Sequence, residues 1–271
     1  MKTLIIPDIH NKSHIAEHII SREKPDKVIF LGDYFDSFHD EPDDVRATAK
    51  WFHWSINQPN RIHIVGNHDL PYWFPENPFL DCPGYNRFKL LLVQEYVTNK
   101  DWEKLVFYHN LDDHWLLSHA GAHPYWLKTD KTDIKELSDR LQWETKNFLK
   151  AAGRKLYHWF AAWSRARGGT LTPGGLVWND FTGDFHALIG VNQLVGHTHG
   201  THVRWVYRRN GDFRQKWHEQ ENLKVEYSPF ESYNLCLDTG LRHYGVWNGS
   251  KLNIKSLENL VKKSLIRSKN S

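Results

Sequence analysis

Short apolar runs that stop abruptly at a polar residue are the main pattern of this chain. Six such runs, rich in Ile, Leu and Val and bounded by glycine, proline or polar residues, predict buried β-strands. They cover residues 3–6, 27–31, 62–65, 115–117, 193–195 and 234–237. Asp, Asn or His follows every run within two residues. One such unit is an ordinary strand and turn, but six strand ends of this kind together predict a metal or catalytic site at one rim of a sheet.

Helical spacing of apolar residues separates the first strands. Residues 12–23 carry Ile15, Ile19 and Ile20 on one face, and residues 42–57 have apolar positions three and four apart. A further helix is expected from residues 86–97. Strands that alternate with helices in this way favour parallel pairing in an α/β protein.

Two segments depart from this alternation. Residues 124–190 predict two helices, near 132–151 and 153–166, followed by a glycine-rich stretch, and we interpret them as an insertion within a domain covering residues 1–250. Residues 251–271 are basic and have apolar residues at helical spacing, which predicts a tail helix packing one face on the body. A contact of this tail with nucleic acid or lipid is the weaker alternative.

Composition adds few constraints. A net charge of +3 does not imply nucleic acid, and no apolar run is long enough for a transmembrane helix, so no membrane is expected. The two cysteines do not form a disulfide framework, which favours a reducing compartment, and we expect a cytoplasmic protein. The sequence leaves the oligomeric state open.

Seven side chains at or near the strand ends are candidate metal ligands. They are Asp8, His10, Asp33, Asn67, His119, His197 and His199. Carboxylates, imidazoles and an amide oxygen, with no thiolate, suit manganese, iron or zinc, whereas a magnesium site would contain few histidines. Seven ligands exceed what one ion needs, so we expect two divalent ions, manganese first and iron or zinc as alternatives.

Two metal ions suit hydrolysis of a phosphate ester, because they stabilise the attacking and the leaving oxygen and generate a hydroxide nucleophile near neutral pH. The leaving oxygen then needs a proton. His68 directly follows Asn67 and is our candidate general acid, and Asp36 is our candidate for the carboxylate that orients it.

In order, these motifs resemble those of the calcineurin-like metallophosphoesterase superfamily. The pattern consists of Asp-x-His, Gly-Asp-x-x-Asp, Gly-Asn-His-Asp, a later His and Gly-His-x-His. The corresponding residues here are Asp8 and His10, Gly32 to Asp36, Gly66 to Asp69, His119, and Gly196 to His199. Five motifs in order over residues 8–199 are far more specific than any one of them.

The resemblance implies a four-layer αββα sandwich, in which two mixed β-sheets are flanked by helices and the site lies on strand-end loops. It also implies ligand sets: Asp8, His10 and His199 for one metal; Asn67, His119 and His197 for the other. Asp33 would bridge the two ions, and His68 with Asp36 would form the proton-donating pair.

Within the superfamily, three further segments are similar to the branch of Ser/Thr phosphoprotein phosphatases and dinucleoside tetraphosphatases. They are residues 118–121, 176–180 and 237–240. That branch has Asp-Arg-Gly at the second motif, whereas this chain has Asp36-Ser37-Phe38. The arginine that grips phosphate is therefore missing there. Arg165, Arg167, Arg204 and Arg242 are the candidates to replace it.

Four other polar residues have a role that the sequence leaves open. His123 and His202 follow ligands closely but are more often ordinary histidines, Asp69 either supports a ligand or caps a helix, and Asp238 either supports the rim or belongs to a turn.

The leading hypothesis is a phosphomonoesterase acting on a phosphoprotein, a nucleotide or a small ester. A phosphodiesterase or nuclease is the alternative, and a non-catalytic binding module is a third reading that the intact ligand set disfavours.

Overall fold

The computed structural model describes residues 1–37, 39–170, 173–209, 212–219 and 231–258. The strands are β1 (Thr3–Ile6), β2 (Lys27–Phe30), β3 (Arg61–His63), β4 (Tyr108–Asn110), β5 (Trp115–Ser118), β6 (Asn192–Val195), β7 (Arg204–Arg209), β8 (Asp212–Glu219), β9 (Glu231–Cys236), β10 (His243–Trp247) and β11 (Leu252–Ser256). The α-helices are α1 (Ser13–Glu23), α2 (Pro42–Ile56), α3 (Leu70–Trp73), α4 (Arg87–Gln94), α5 (Asn99–Trp102), α6 (Pro124–Leu127) and α7 (Ile134–Gly153).

The strands form two mixed sheets. The first has the order β11-β10-β1-β2-β3, with β1, β2 and β3 parallel and the other pairs antiparallel. The second has the order β4-β5-β6-β9-β7-β8, with β5, β6 and β9 parallel. All six predicted strands are present, and the parallel pairing expected for the first hundred residues is confirmed.

Alternate side chains of β1 face different layers. Ile5 packs in a cluster with Leu117 and Leu194 of the second sheet, whereas Leu4 packs with Ala16 and Val45 of the outer helices. Because β1 is buried on both faces, its sequence is apolar throughout rather than alternating. On the second sheet, Tyr108 of β4 donates a 2.8 Å hydrogen bond to a carbonyl of α7. The expected sandwich of two sheets between helices is confirmed.

Local signals explain the limits of the main helices. A capping box between Glu41 and Asp44, with Pro42 in the first turn, starts α2. Asp133 caps α7 by accepting a hydrogen bond from the Glu136 amide at 2.8 Å.

The predicted helix at 153–166 is wrong. The helix α7 ends at Gly153, and Lys155 adopts a left-handed backbone conformation that interrupts it. Two short 3₁₀ turns follow, Trp159–Ala161 and Arg165–Arg167. Side chains just before each turn, His158 and Ser164, accept hydrogen bonds from amides two residues later, which competes with α-helix formation.

The predicted tail helix at 251–271 is wrong in its first part. Leu252–Ser256 forms the edge strand β11, antiparallel to β10. Leu252 and Ile254 are buried, which is the two-residue period of a strand, so these residues belong to the first sheet. Residues 257 and 258 are helical, and 259–271 lie outside the described residues.

Candidate metal centre

Four of the predicted site residues have a strained backbone near the strand ends. His10, Asp33, Asp36 and His197 adopt φ values of 41°, 51°, 60° and 64°. Non-glycine residues rarely adopt positive φ, and such strain is typical of functional sites. Each of these turns aims a side chain from a strand end toward the rim that the sheets share.

The first ligand group consists of Asp8, His10 and Asp33. Their ligand atoms lie within 4.8 Å of one another. The His10 Nδ1 atom lies 2.6 Å from the Asp36 carbonyl oxygen, so this nitrogen donates. The opposite nitrogen, Nε2, is then an acceptor facing the Asp8 and Asp33 carboxylates at 4.0 and 3.7 Å.

The second group consists of Asp33, Asn67, His119 and His197. His119 Nδ1 lies 2.8 Å from the Leu31 carbonyl oxygen, which leaves Nε2 facing inward. This Nε2 is 2.9 Å from Asn67 Oδ1, 3.4 Å from Asp33 Oδ2 and 3.2 Å from His197 Nδ1. Asp33 is therefore the residue that the two groups share.

Two glycines allow backbone and carboxylates to approach closely. A Cβ atom at Gly66 would collide with the Asp33 carboxylate, and one at Gly196 would collide with that of Asp8. Any side chain at these positions would displace a candidate ligand, which explains why glycine precedes Asn67 and His197.

The electrostatics and the donor set fit divalent metal ions. Asp8 and Asp33 are almost completely buried. Burial, followed by the charges of Asp238 and Asp33, raises the pKa of Asp8 well above its usual value. Burial lowers the pKa of His119, but Asp33 outweighs it and raises that pKa to about 10. Buried carboxylates that attract positive charge, next to the inward-facing Asn67 oxygen and His119 ring, match the needs of metal binding.

His199 lies apart from both ligand groups. Its side chain is 64% exposed, and its Nδ1 atom lies 3.3 Å from the Asp238 carboxylate. Asp238 therefore orients the ring and leaves Nε2 as the available ligand atom. The sequence allows two interpretations of Asp238, a residue that supports the rim of the site or a turn residue, and its contact with His199 favours the first.

The predicted acid pair lies together. His68 Nδ1 is 3.3 Å from Asp36 Oδ2, and the two rings of His68 and His10 meet edge to face at 5.2 Å between centroids. The other Asp36 oxygen accepts hydrogen bonds from Tyr72 at 2.7 Å and from Lys89 at 3.2 Å. Sequence reasoning missed Tyr72 and Lys89, and no motif marks them, because they reach Asp36 only through folding.

Asp69 supports the ligand loops and does not cap a helix. Its carboxylate accepts hydrogen bonds from the amides of Asp33, Tyr34 and Gly66 at 3.0, 2.9 and 2.7 Å. It makes no side-chain capping bond to α3. Asp69 thus joins the loop after β2 to the loop after β3.

Neither His123 nor His202 belongs to a ligand group among the described residues. Both nitrogens of His123 are occupied, one by the Tyr125 amide and one by the Asp184 carbonyl oxygen, each at 3.0 Å. His202 contacts Thr201 on the surface.

Two mixed sheets, with Asp, Asn and His at strand ends of both, define an α/β protein with a candidate metal centre. The family model for calcineurin-like phosphoesterases matches residues 1–201. The chain belongs to the calcineurin-like phosphoesterase family. A comparison with curated proteins gave no match, and no helix among the described residues is long and apolar enough to cross a membrane.

Solved structures similar to the chain have low sequence identity. One, described as a candidate diadenosine tetraphosphatase, is 14% identical, with 94% of this chain and 93% of that chain covered and a TM-score of 0.44. The phosphoesterase Yfce from E. coli is 10% identical, with 96% and 95% covered and a TM-score of 0.39. A dimetal phosphatase from Danio rerio is 8% identical, with 94% and 95% covered and a TM-score of 0.35. The family assignment rests on the family model alone.

Proposed function

We propose that the protein is a two-metal phosphatase that hydrolyses phosphate monoesters. The observation that carries this proposal is the pair of ligand groups sharing Asp33, with the His68–Asp36 pair at their edge. Asp8, His10 and His199 would hold one ion, and Asn67, His119 and His197 the other. Manganese is the first candidate, with iron or zinc as alternatives.

The bound ions would supply Lewis acidity toward the phosphoryl group and activate water. The chain's own residues then have two tasks. The carbonyl groups of Asp36 and Leu31 hold His10 and His119 in the tautomer whose inward nitrogen is a ligand atom. His68 presents Nε2 for proton donation to the leaving oxygen, because Asp36 engages its Nδ1 atom.

A direct test is to measure metal content and hydrolysis after manganese reconstitution. We expect two ions per chain, and faster turnover of nitrophenyl phosphate than of bis-nitrophenyl phosphate, with activity lost on chelation. A panel of phosphopeptides, mononucleotides, dinucleoside polyphosphates, cyclic nucleotides and single-stranded nucleic acid would then define the substrate.

Three results would contradict parts of the proposal. One bound ion would exclude the two-metal site. Preference for the bis-ester would identify a phosphodiesterase, the alternative that the missing arginine after Asp36 leaves open. Metal binding without turnover of any ester would identify a binding module.

Cys82 and Cys236 are both buried and unbonded to each other. This supports the further proposal of a reducing, cytoplasmic location.

A further inference from the structure

In the branch that this chain resembles, an arginine grips the substrate phosphate, and Ser37 stands at its position here. Two of the four candidate arginines already donate hydrogen bonds to backbone carbonyl oxygens. Arg204 donates to the carbonyls of Thr198 and His199. Arg242 donates to those of Thr239 at 2.9 Å and Gly200 at 3.3 Å. Both therefore stabilise the loops that carry or adjoin the ligands.

Lys89 lies close to the position of the missing arginine but is also fully engaged. Its ammonium donates to the Gly84 carbonyl at 2.8 Å and to the carboxylates of Asp40 and Asp36 at 2.9 and 3.2 Å. An ammonium has three N–H donors, and three acceptors use all of them.

Arg167 is engaged at only one end of its guanidinium. Its Nε atom lies 2.6 Å from Asp180 Oδ2, whereas its two Nη atoms have no hydrogen-bond partner among the described residues. Its side chain is 32% exposed. Asp180 is itself fixed, since its other oxygen accepts the amides of Thr182 and Gly183 at 2.9 and 2.7 Å. The guanidinium is thus held in place with two donor groups unused.

The segments that carry Arg167 and Asp180 are anchored beside the metal centre. Trp163 stacks on Trp178 at 4.4 Å between centroids, and Trp178 meets the His197 ring edge-on at 5.5 Å. The Phe181 amide, next to Asp180, donates to the Thr198 hydroxyl at 2.8 Å.

The loop after His119 is hydrogen-bonded to the segment that carries Asp180. The Ala120 amide donates to the Leu176 carbonyl at 3.1 Å. The segment therefore contacts residues next to ligands on two strands of the second sheet.

We propose that Arg167 binds the phosphate of the substrate through its two Nη groups, and that Asp180 positions it for this role. The proposal rests on the proposed function and adds a substrate contact to it. A planar guanidinium matches the oxygens of a phosphomonoester dianion in a bidentate arrangement, which lysine cannot reproduce. It takes the place of the arginine absent after Asp36 from a different part of the chain.

The test compares Arg167→Ala with Arg165→Ala in the manganese-loaded protein. Arg165 lies on the same 3₁₀ turn and is exposed, and its side chain makes no hydrogen bond or ion pair among the described residues, so it is a matched control. Loss of a charge-assisted bidentate contact should lower kcat/KM for a phosphomonoester on the order of 10–100-fold. Binding of inorganic phosphate, measured by calorimetry, should weaken by about tenfold or more on the same reasoning. Arg165→Ala should leave both values within about twofold, as expected for an uninvolved surface residue.

Two further variants keep the test decisive. Arg167→Lys preserves the charge without the fork, and should still weaken phosphate binding, by about 3–10-fold. This variant replaces Arg167→Ala if the alanine variant does not fold. Asp180→Asn should weaken phosphate binding less than Arg167→Ala, because the guanidinium stays but loses its anchor. Metal content should be unchanged in all four variants.

The possible failures are distinguishable. If the wild-type protein hydrolyses no phosphate ester, the proposed function fails. If the wild type is active and Arg167→Ala behaves like Arg165→Ala, the role of Arg167 is wrong. An activity loss without weaker phosphate binding would also overturn it, because Arg167 would then act only on the fold. The Nζ atom of Lys12 lies near Gly240 at the rim. If Lys12→Ala weakens phosphate binding and Arg167→Ala does not, Lys12 binds the phosphate and the proposal for Arg167 is wrong.

Discussion

At the scale of single residues, Asp36 is enclosed by three partners with different tasks. His68 faces one oxygen of its carboxylate, while Tyr72 and Lys89 donate to the other. Because both oxygens are engaged, the carboxylate has one orientation, and the His68 ring is held with it. The orientation of the imidazole is thus set by its contact with Asp36.

The role of His68 predicts a selective loss of activity in His68→Asn. A general acid contributes typically ~10²–10⁴-fold, but only where the leaving group needs its proton. An alkyl alcohol needs that proton and a nitrophenolate hardly does. We therefore expect hydrolysis of alkyl esters to slow far more than that of nitrophenyl esters, chiefly in kcat, with metal content nearly unchanged.

Asp36→Asn is the companion variant and should show the same bias in weaker form. If His68 only contacted phosphate in the ground state, both ester types would lose activity equally and mostly through KM. Equal losses would therefore refute the acid assignment.

At the scale of secondary-structure elements, the strands were predictable and several contacts were not. Apart from Lys27 and Gln193, the runs at 27–31 and 193–195 are apolar, because β2 and β6 are buried over almost their whole length, so composition marks them. A glycine and then a polar residue come directly after both runs: Gly32 and Asp33 after the first, Gly196 and His197 after the second. Local sequence contains this information, which is why candidate ligand positions can be predicted without coordinates.

Contacts between distant segments are not written in local sequence. The pairing of His199 with Asp238 joins residues 39 apart, and that of Lys89 with Asp36 joins residues 53 apart. The pairing of Arg167 with Asp180 likewise joins residues 13 apart. Local sequence favours a helix where β11 forms. The two buried residues of this strand, Leu252 and Ile254, also fit one helical face together with the apolar residues that follow them.

The end of α1 is joined to the first sheet by one buried carboxylate. Glu23 accepts hydrogen bonds from Lys2 at 2.6 Å, Tyr244 at 2.8 Å and Lys255 at 2.9 Å. Burial raises the pKa of Glu23, but these hydrogen bonds outweigh burial and lower the pKa to about 2. The charged form therefore stabilises the folded protein.

Glu23→Gln should destabilise the protein by about 2 kcal/mol at pH 7, since hydrogen bonds to a charged group are lost. The stabilisation by Glu23 is fully present above its unfolded pKa of 4.5 and is lost as pH falls toward 2. The difference in unfolding free energy between wild type and variant should therefore shrink below pH 4.5. Urea unfolding at pH 7, 5 and 3.5 measures it.

Glu103→Gln is the control, because Glu103 is exposed and has no side-chain partner among the described residues. It should change stability little at any of these pH values. A constant difference between wild type and Glu23→Gln across the pH range would show that the charge of Glu23 is not responsible.

At the scale of the whole molecule, the candidate metal centre lies at strand ends of both sheets, and its candidate ligands come from both. Asp8, Asp33 and Asn67 follow strands of the first sheet, whereas His119 and His197 follow strands of the second. Any ion bound by both sets would cross-link the sheets. Metal binding and folding are then coupled, because the unfolded chain does not contain the site.

We therefore expect manganese to raise the unfolding temperature of the apoprotein on the order of 5–10 °C at saturating concentration, through preferential binding to the folded state. Asp33→Asn should lose most of this increase and most activity, because Asp33 belongs to both ligand groups. Asp8→Asn should deplete mainly one ion and keep part of the increase. Calorimetry with elemental analysis of the same samples measures both effects. Retention of two ions and a normal temperature shift in Asp33→Asn would mean that this carboxylate does not bridge the metals, and that the other candidate ligands hold both ions without it.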